Sequence, residues 1–379
     1  MSTNEPGNPN NYPNTIPLIG DQDPAAALVD MALEGLADRT AHLKSRVGAL
    51  ETKTGQLQAL NFVHATALSG ASWRFAYFDA SLRGWVAIGD PAAVKVTEDQ
   101  GHTWSAVTVT DAAGETCYGG AGSDDGSVIS TNGRYIYEQT GGAFRRRDAF
   151  GSALTFAHSA VAYDPIRARW CVVGSAITET AHVRTSENRT TWTTRVAPGS
   201  FHMGHVSMAV KPSTGRIVLA QAYNGVGVGA VVTYSDDGGI TWATSQVLAT
   251  ELSYTSFSSV AYDEAANRWL VVVGKASGGN ESEIWESTDG VTWTRIKQLT
   301  GTCIRSIAAL GKLWVGIAIT AAASEVCYSL DGTTWLRANL VFTTPGQCVA
   351  AGGGGVLAMS NATAYVGLRA GLPPSPAFT

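Results

Sequence analysis

YSDDGGITW, Tyr234 to Trp242, returns along the chain in altered form: as TEDQGHTW ending at Trp104, ESTDGVTW ending at Trp293 and YSLDGTTW ending at Trp335. A weaker copy, TSENRTTW, ends at Trp192 with Asn188 where the acid should be and Arg189 in place of a glycine. YEQTGGAF, ending at Phe144, keeps only the outline. The aromatic ends fall at 104, 144, 192, 242, 293 and 335, in steps of 40, 48, 50, 51 and 42 residues. A period of that size is the period of a propeller blade.

A second marker runs in phase with the first. FDASLRGW (Phe78–Trp85), YDPIRARW (Tyr163–Trp170) and YDEAANRW (Tyr262–Trp269) each place an Asp six positions before a Trp. Between the markers lie short alternating or apolar runs such as SSVAYD, RWLVVVG and SEIWEST, separated by Gly, Asn and Asp. That is the grammar of strands and tight turns, and each unit reads as strand, turn, strand, loop, strand, motif, strand. Within the motif, Asp and Ser or Thr side chains can bond neighbouring backbone amides while Gly accepts backbone angles other residues resist. The Trp is expected to pack inward as the anchor of its blade.

The motif resembles the Asp-box, or BNR repeat, of sialidase-like β-propellers, over about residues 61 to 370. The residues that carry this likeness are Asp99, Trp104, Trp192, Asp237, Trp242, Asp289, Trp293, Asp331 and Trp335. In that superfamily the box lies away from the active site, so the resemblance implies architecture and not chemistry. Six blades contain the motif or its remnant. GQCVAAGGG, VLAMSN and AYVGLRAG supply three strands of a seventh, which NFVHATAL (Asn61–Leu68) could complete. The expected fold is an all-β, seven-bladed propeller closed by strand exchange between the two ends, which removes exposed sheet edges. The expected boundaries are an extended arm at 1–22, a helix at 23–60, the propeller at 61–370 and a tail at 371–379.

The segment before the propeller differs in character. Asp23 is suited to cap a helix with Pro24 at its first position. From Val29 the apolar seam runs through Leu33, Leu36, Leu43, Val47, Leu50 and Leu57, spaced alternately four and three apart and interrupted by Thr40 and Thr54. This heptad pattern predicts a coiled coil, against the plainer alternative of one amphipathic helix packed on the propeller; the seam suits a dimer as well as a trimer. The layout of arm, short coiled coil and carboxy-terminal β domain resembles tailed-bacteriophage fibre and receptor-binding proteins. That resemblance implies a homotrimer, attached to other tail or baseplate proteins of a virion through residues 1–22.

Composition excludes other classes. A chain of 379 residues with net charge −5, 45% hydrophobic and 15% charged can bury a core and is not a nucleic-acid-binding polymer. No apolar run reaches membrane-spanning length, and the first residues lack the pattern of a secretory signal. Cys117, Cys171, Cys303, Cys327 and Cys348 sit singly, without metal or disulfide spacing, and read as small buried residues made in a reducing cytoplasm. No cofactor and no metal are expected.

Sialidases carry an FRIP-type motif, three arginines that clamp a carboxylate, a Tyr/Glu pair and an Asp. This sequence has no FRIP-like element, and arginines on candidate inner strands are scarce, chiefly Arg74 and Arg305. Asp164 and Asp263 read as turn residues rather than acids of a hydrolytic pair, which needs two carboxylates facing one cleft. The expectation is therefore no enzyme. Stepping back six residues from the Asp that ends each first strand gives Trp73, Tyr118, His158, His205 and Phe257. Arg305 is the equivalent in the sixth blade, and Gln347 or Cys348 in the seventh. These residues are expected at one mouth of the central channel, where aromatic faces and polar tips suit a glycan or a protein surface, unless the rings merely plug the channel. FRRRD (Phe144–Asp148), the one dense basic run, reads as a charged edge strand or a phosphate-contacting patch. The functional expectation is a virion tail fibre or receptor-binding protein that engages a host-surface glycan or protein. The rivals are a purely decorative capsid or tail propeller, a glycan-cleaving depolymerase, and a bacterial adhesin or intracellular scaffold.

Overall fold

In the computed structural model, the residues described are 61–112, 114–151, 158–175, 182–196, 203–225, 228–248, 257–275 and 279–368. The expected arm, the coiled-coil seam from Leu33 to Leu57, and the tail lie outside them. The described residues belong to the unit Leu60–Thr379 and form seven antiparallel sheets with no α-helix among them.

The seven sheets are the seven blades. Their first strands are Ser72–Asp79, Cys117–Ser123, His158–Asp164, Met203–Lys211, Phe257–Asp263, Cys303–Leu310 and Gly346–Gly352. Each touches the next, and the last returns to the first, so these strands form a closed ring around a central channel. The ring is closed as the sequence suggests. Asn61–Ala67 pairs antiparallel with Thr363–Leu368, from Asn61↔Leu368 to Ala67↔Thr363, and so becomes the outermost strand of blade seven.

Blade two departs from the four-stranded plan. Val109–Thr110 adds in parallel beside Ala143–Asp148 as a fifth strand. The added strand covers the basic run only at Phe144 and Arg145. Arg146 and Arg147 are held by the buried carboxylates of Glu115 (3.1 Å) and Glu138 (2.5 Å), while Arg145 is exposed.

The motif lies between the third and fourth strands of its blade, where its residues bond as their chemistry suggests. The Asp237 carboxylate accepts from the amides of Ile240 (3.0 Å) and Thr241 (2.9 Å) and from the Ser235 hydroxyl (2.8 Å). The Gly239 amide donates to Ser235 Oγ at 2.8 Å. Asp99, Asp289 and Asp331 repeat this pattern. In the degraded copy the Asn188 amide oxygen accepts from Thr190 and Thr191 instead.

The tryptophans correct the expectation that each anchors its own blade. Trp293 is buried and Trp104, Trp192, Trp242 and Trp335 are half-buried, and each packs into a cluster shared with the preceding blade. Trp242, for example, packs on the cluster that holds Cys171 and Val173 of blade three and Ile217 and Leu219 of blade four. Phe144 takes this place between blades one and two. The indoles of Trp192, Trp242 and Trp335 donate back to the carbonyls of Arg189, Gly239 and Gly332. The motif thus seals one blade onto its neighbour.

The second marker joins blades too. Asp79, Asp164 and Asp263 are buried and accept amides of their own turns, such as Ile166 N at 2.9 Å and Ala265 N at 2.9 Å. Asp79 also accepts from Ser127 of blade two, and Asp263 accepts the Lys312 amide of blade six at 2.6 Å. Asp164 and Asp263 are therefore turn residues. The five cysteines are buried and free.

Candidate functional site

The ring of first strands encloses a cavity of about 430 Å³. Its lining includes Arg74, Tyr118, His205, Phe257, Arg305 and Gln347, so five of the residues expected at the channel mouth, all of these but Arg74, are brought together there. Trp73 is not among them. It is buried at 1% exposure in the cluster between blades seven and one, with Nε1 donating to the Leu68 carbonyl at 3.0 Å. His158 begins its strand opposite Ser175, but its side chain lies outside the described residues.

The physical reason for the displaced Trp73 is a β-bulge. Trp73 pairs with Gly89 and Phe75 with Ile88, which leaves Arg74 as the extra residue. A bulge breaks the two-residue alternation and re-aims the extra side chain. Counting back six positions therefore falls on the wrong face in blade one. The same device recurs in other blades. Tyr118 is the extra residue between Cys117 and Gly119, Arg305 between Ile304 and Ser306, and Gln347 between Gly346 and Cys348. In blade four the shift falls between Met203 and Val206 and includes His205. Five innermost strands thus carry a bulge at the same end.

Local contacts hold these side chains in place. His205 Nδ1 lies 3.0 Å from the Ser258 carbonyl, and the Ser258 hydroxyl donates to the His205 carbonyl at 2.9 Å. The His205 ring meets Phe257 edge-on at 5.9 Å between centroids. The Arg305 guanidinium lies 5.0 Å from the Phe257 ring centre and donates from Nη1 to the Gly346 carbonyl at 3.4 Å. Arg74 is ion-paired with Asp90, which also accepts the Cys117 amide at 3.0 Å. Burial raises the Tyr118 hydroxyl above the usual tyrosine range, with the Arg74 charge pulling the other way. Burial also pushes the thiol of Cys348, deeper in the lining, up to about 12, so it stays protonated.

The charge of the lining is one-sided. It contains Arg74, Arg305 and His205, and among the described residues no Asp or Glu. Such a site can accept hydrogen-bond acceptors and negative charge.

Fold and site together define a seven-bladed β-propeller with a side-chain-lined central channel. The chain matches no protein-family model and no curated protein. Among solved structures it is similar to YCF48 bound to D1 peptide, at 14% identity and TM-score 0.59, covering 83% of this chain and 98% of that one. It is also similar to YCF48 from Cyanidioschyzon merolae, at 14% identity and TM-score 0.54, covering 79% and 98%. At this identity the likeness is one of fold.

Proposed function

We propose that the protein is a structural component of a tailed-bacteriophage virion, a tail fibre or receptor-binding protein, whose propeller binds a host-surface glycan or protein at the channel mouth. The observation that carries the binding part is the set of five bulges at one end of the channel, which turn Arg74, Tyr118, His205, Arg305 and Gln347 to a common cavity. Bulges interrupt the ladder and are concentrated at functional sites. Repeating one at equivalent places in five blades is costly for a channel that serves only as packing. The propeller reading is of the Asp-box kind, supported by the recurring Ser/Thr, Asp and Gly hydrogen bonds of the motif.

Binding is favoured over hydrolysis because glycoside cleavage uses acidic side chains facing the cleft, two carboxylates in most enzymes and a Tyr/Glu pair with an Asp in sialidases, and the described cavity lining supplies no Asp or Glu. A structural neighbour is described as bound to a peptide, which supports a protein ligand as the alternative to a glycan. The virion assignment rests on the sequence layout of arm, heptad seam and propeller. A trimeric stalk would raise the avidity of three weak sites through effective concentration.

The test uses the purified full chain with a panel of bacterial cells and their extracted surface polysaccharides, scoring adsorption and released reducing sugar. Adsorption without release, weakened by Tyr118→Ala or His205→Ala in a chain that melts normally, is expected. Release of sugar would establish a depolymerase. Absence of adsorption across the panel would favour a decorative propeller.

A further inference from the structure

We propose that the first strands of blades four, five, six, seven and one move as one body, tied across the blades by a ladder of side-chain acceptors, and that the channel opens and closes through the first strands of blades two and three.

Neighbouring first strands touch around the channel but belong to different sheets, so no strand pairing joins them. About half of their backbone amides point away from their own sheet, and a buried amide without an acceptor is costly. Side chains meet that need in part of the ring. The Val260 amide of blade five donates to Ser207 Oγ of blade four at 3.2 Å. The Ile307 amide of blade six donates to Ser259 Oγ of blade five at 3.0 Å. The Val349 amide of blade seven donates to Ser306 Oγ of blade six at 3.2 Å. The Cys348 sulfur of blade seven accepts the Ala76 amide of blade one in the same way. Each acceptor stands four residues before the end of its strand, and each amide three residues before the end of the next. The ladder therefore runs in one direction at one depth of the channel.

The three remaining junctions break it. Phe75, Gly119 and Ala160 hold the matching places, and their side chains offer no acceptor to the amides of Gly120, Val161 and Met208. Other bonds hold these blades at other depths. The Cys117 amide donates to Asp90 at 3.0 Å and the Ser159 hydroxyl to Ser130 Oγ at 2.9 Å, one or two positions nearer the mouth. Ser127 meets Asp79 at the opposite end. Among the described residues, the first strands of blades two and three thus lack a rung of the ladder on either side.

Local opening favours the segments with the fewest such bonds. Arg305 and Gln347 directly precede Ser306 and Cys348, so their bulges are anchored on the held arc, which also carries His205, Phe257 and Arg74. Tyr118 stands on an unheld strand. The mouth therefore has a fixed side and a yielding side, whatever it binds.

Hydrogen exchange of the full chain, read at single amides by mass spectrometry, tests this division. Protection factors at Ala76, Val260, Ile307 and Val349 should exceed those at Gly120, Val161 and Met208 by about tenfold, the weight of one net hydrogen bond. Ser259→Ala should lower protection at Ile307 by a similar factor and leave Val271, in the second strand of blade five, unchanged. Ser306→Ala should do the same at Val349, and Ser306→Cys, the side chain that blade seven uses at this place, should keep part of the protection. Ala160→Ser should add a rung and slow exchange at Met208. Equal protection in the two sets of amides would overturn the inference. So would unchanged exchange at Ile307 and Val349 in the alanine variants, an equal loss at Val271, or no slowing at Met208 in an Ala160→Ser chain of unchanged melting midpoint.

Discussion

The Arg268 side chain of blade five donates to the backbone carbonyl of Asp331 in blade six, at 2.5 Å from Nη2. The same bond joins Arg169 to the Asp237 carbonyl at 2.8 Å, and Arg216 to the Asp289 carbonyl. Each of these arginines opens the second strand of its blade and is also paired with an acid of that blade: Glu187, Asp236 or Glu286. The blade-to-blade contact is thus a repeated unit in which the carbonyl of the motif Asp is bound by the preceding blade, while its side chain holds its own turn.

Arg169→Ala should destabilise the propeller by about 1 to 3 kcal/mol, the range for a hydrogen bond to a charged group. Its guanidinium is mostly shielded, at 15% exposure, so the Asp237 carbonyl is not readily rehydrated. Urea unfolding should show a lower midpoint. An unchanged midpoint would mean that the link is decorative.

Gly239 in the blade-four motif has φ +87°, and a Cβ there would lie 2.5 Å from Cys171 Sγ of blade three. Gly301 shares a positive φ of +72° but has open space around it. Gly301→Ala should therefore cost about 1 kcal/mol of backbone strain. Gly239→Ala should cost roughly 2 to 4 kcal/mol because the blades must also separate. Thermal unfolding of the two variants distinguishes strain from packing.

Acid should loosen the motif turns. Burial would raise Asp99, but hydrogen bonds from Thr103 and Thr97 outweigh it and hold the carboxyl at about 2. Burial likewise would raise Asp331, but hydrogen bonds from the amides of Thr334 and Thr333 outweigh it and hold the carboxyl well below the usual carboxylate range. Because the folded values lie below the unfolded ones, this stabilisation is complete above about pH 4 and is lost as pH falls through the folded values. The melting midpoint should drop between about pH 4 and pH 2. Asp331→Asn should fold, as the Asn188 turn does, and should lose less on acidification; an equal loss would place the acid sensitivity elsewhere.

Much of this fold is legible in the sequence because its repeats are local. Ser235, Asp237 and Gly239 satisfy their own turn, so their spacing survives as a pattern. The closing strand Asn61–Ala67 is visible because blade seven otherwise lacks a partner. The site is harder to read, because a bulge adds one residue without a sequence mark. Trp73 and Arg74 therefore exchange places in the expected and observed lining. Arg169 and Arg268 do stand before the tryptophans of the second marker, yet their acceptors are carbonyls 68 and 63 residues away, which side-chain patterns do not record.

Trp293→Ala should cost about 3 to 5 kcal/mol, as for other buried aromatic truncations, because Trp293 is 3% exposed in the cluster shared by blades four and five. Trp242→Ala, from a half-buried position, should cost less. Equal costs would show that the motif hydrogen bonds, not the buried ring, set the contribution.

Removal of the chain's beginning separates the stalk from the ring. A chain starting at Asn61 keeps the outer strand of blade seven and the Thr66 hydroxyl bond to the Gly101 carbonyl at 2.8 Å. It should melt as the full chain does, but run as a monomer in light scattering, whereas the full chain should run as a trimer. A chain starting at Leu68 retains the carbonyl that accepts Trp73 Nε1 but loses the closing strand, leaving Thr363–Leu368 as an open edge. Its melting midpoint should fall by roughly 10 °C or more, the shift produced by a loss of several kcal/mol, and it should tend to associate through the exposed edge. A monomeric full chain would refute the stalk. An undiminished midpoint in the Leu68 chain would show that the ring does not depend on its closure.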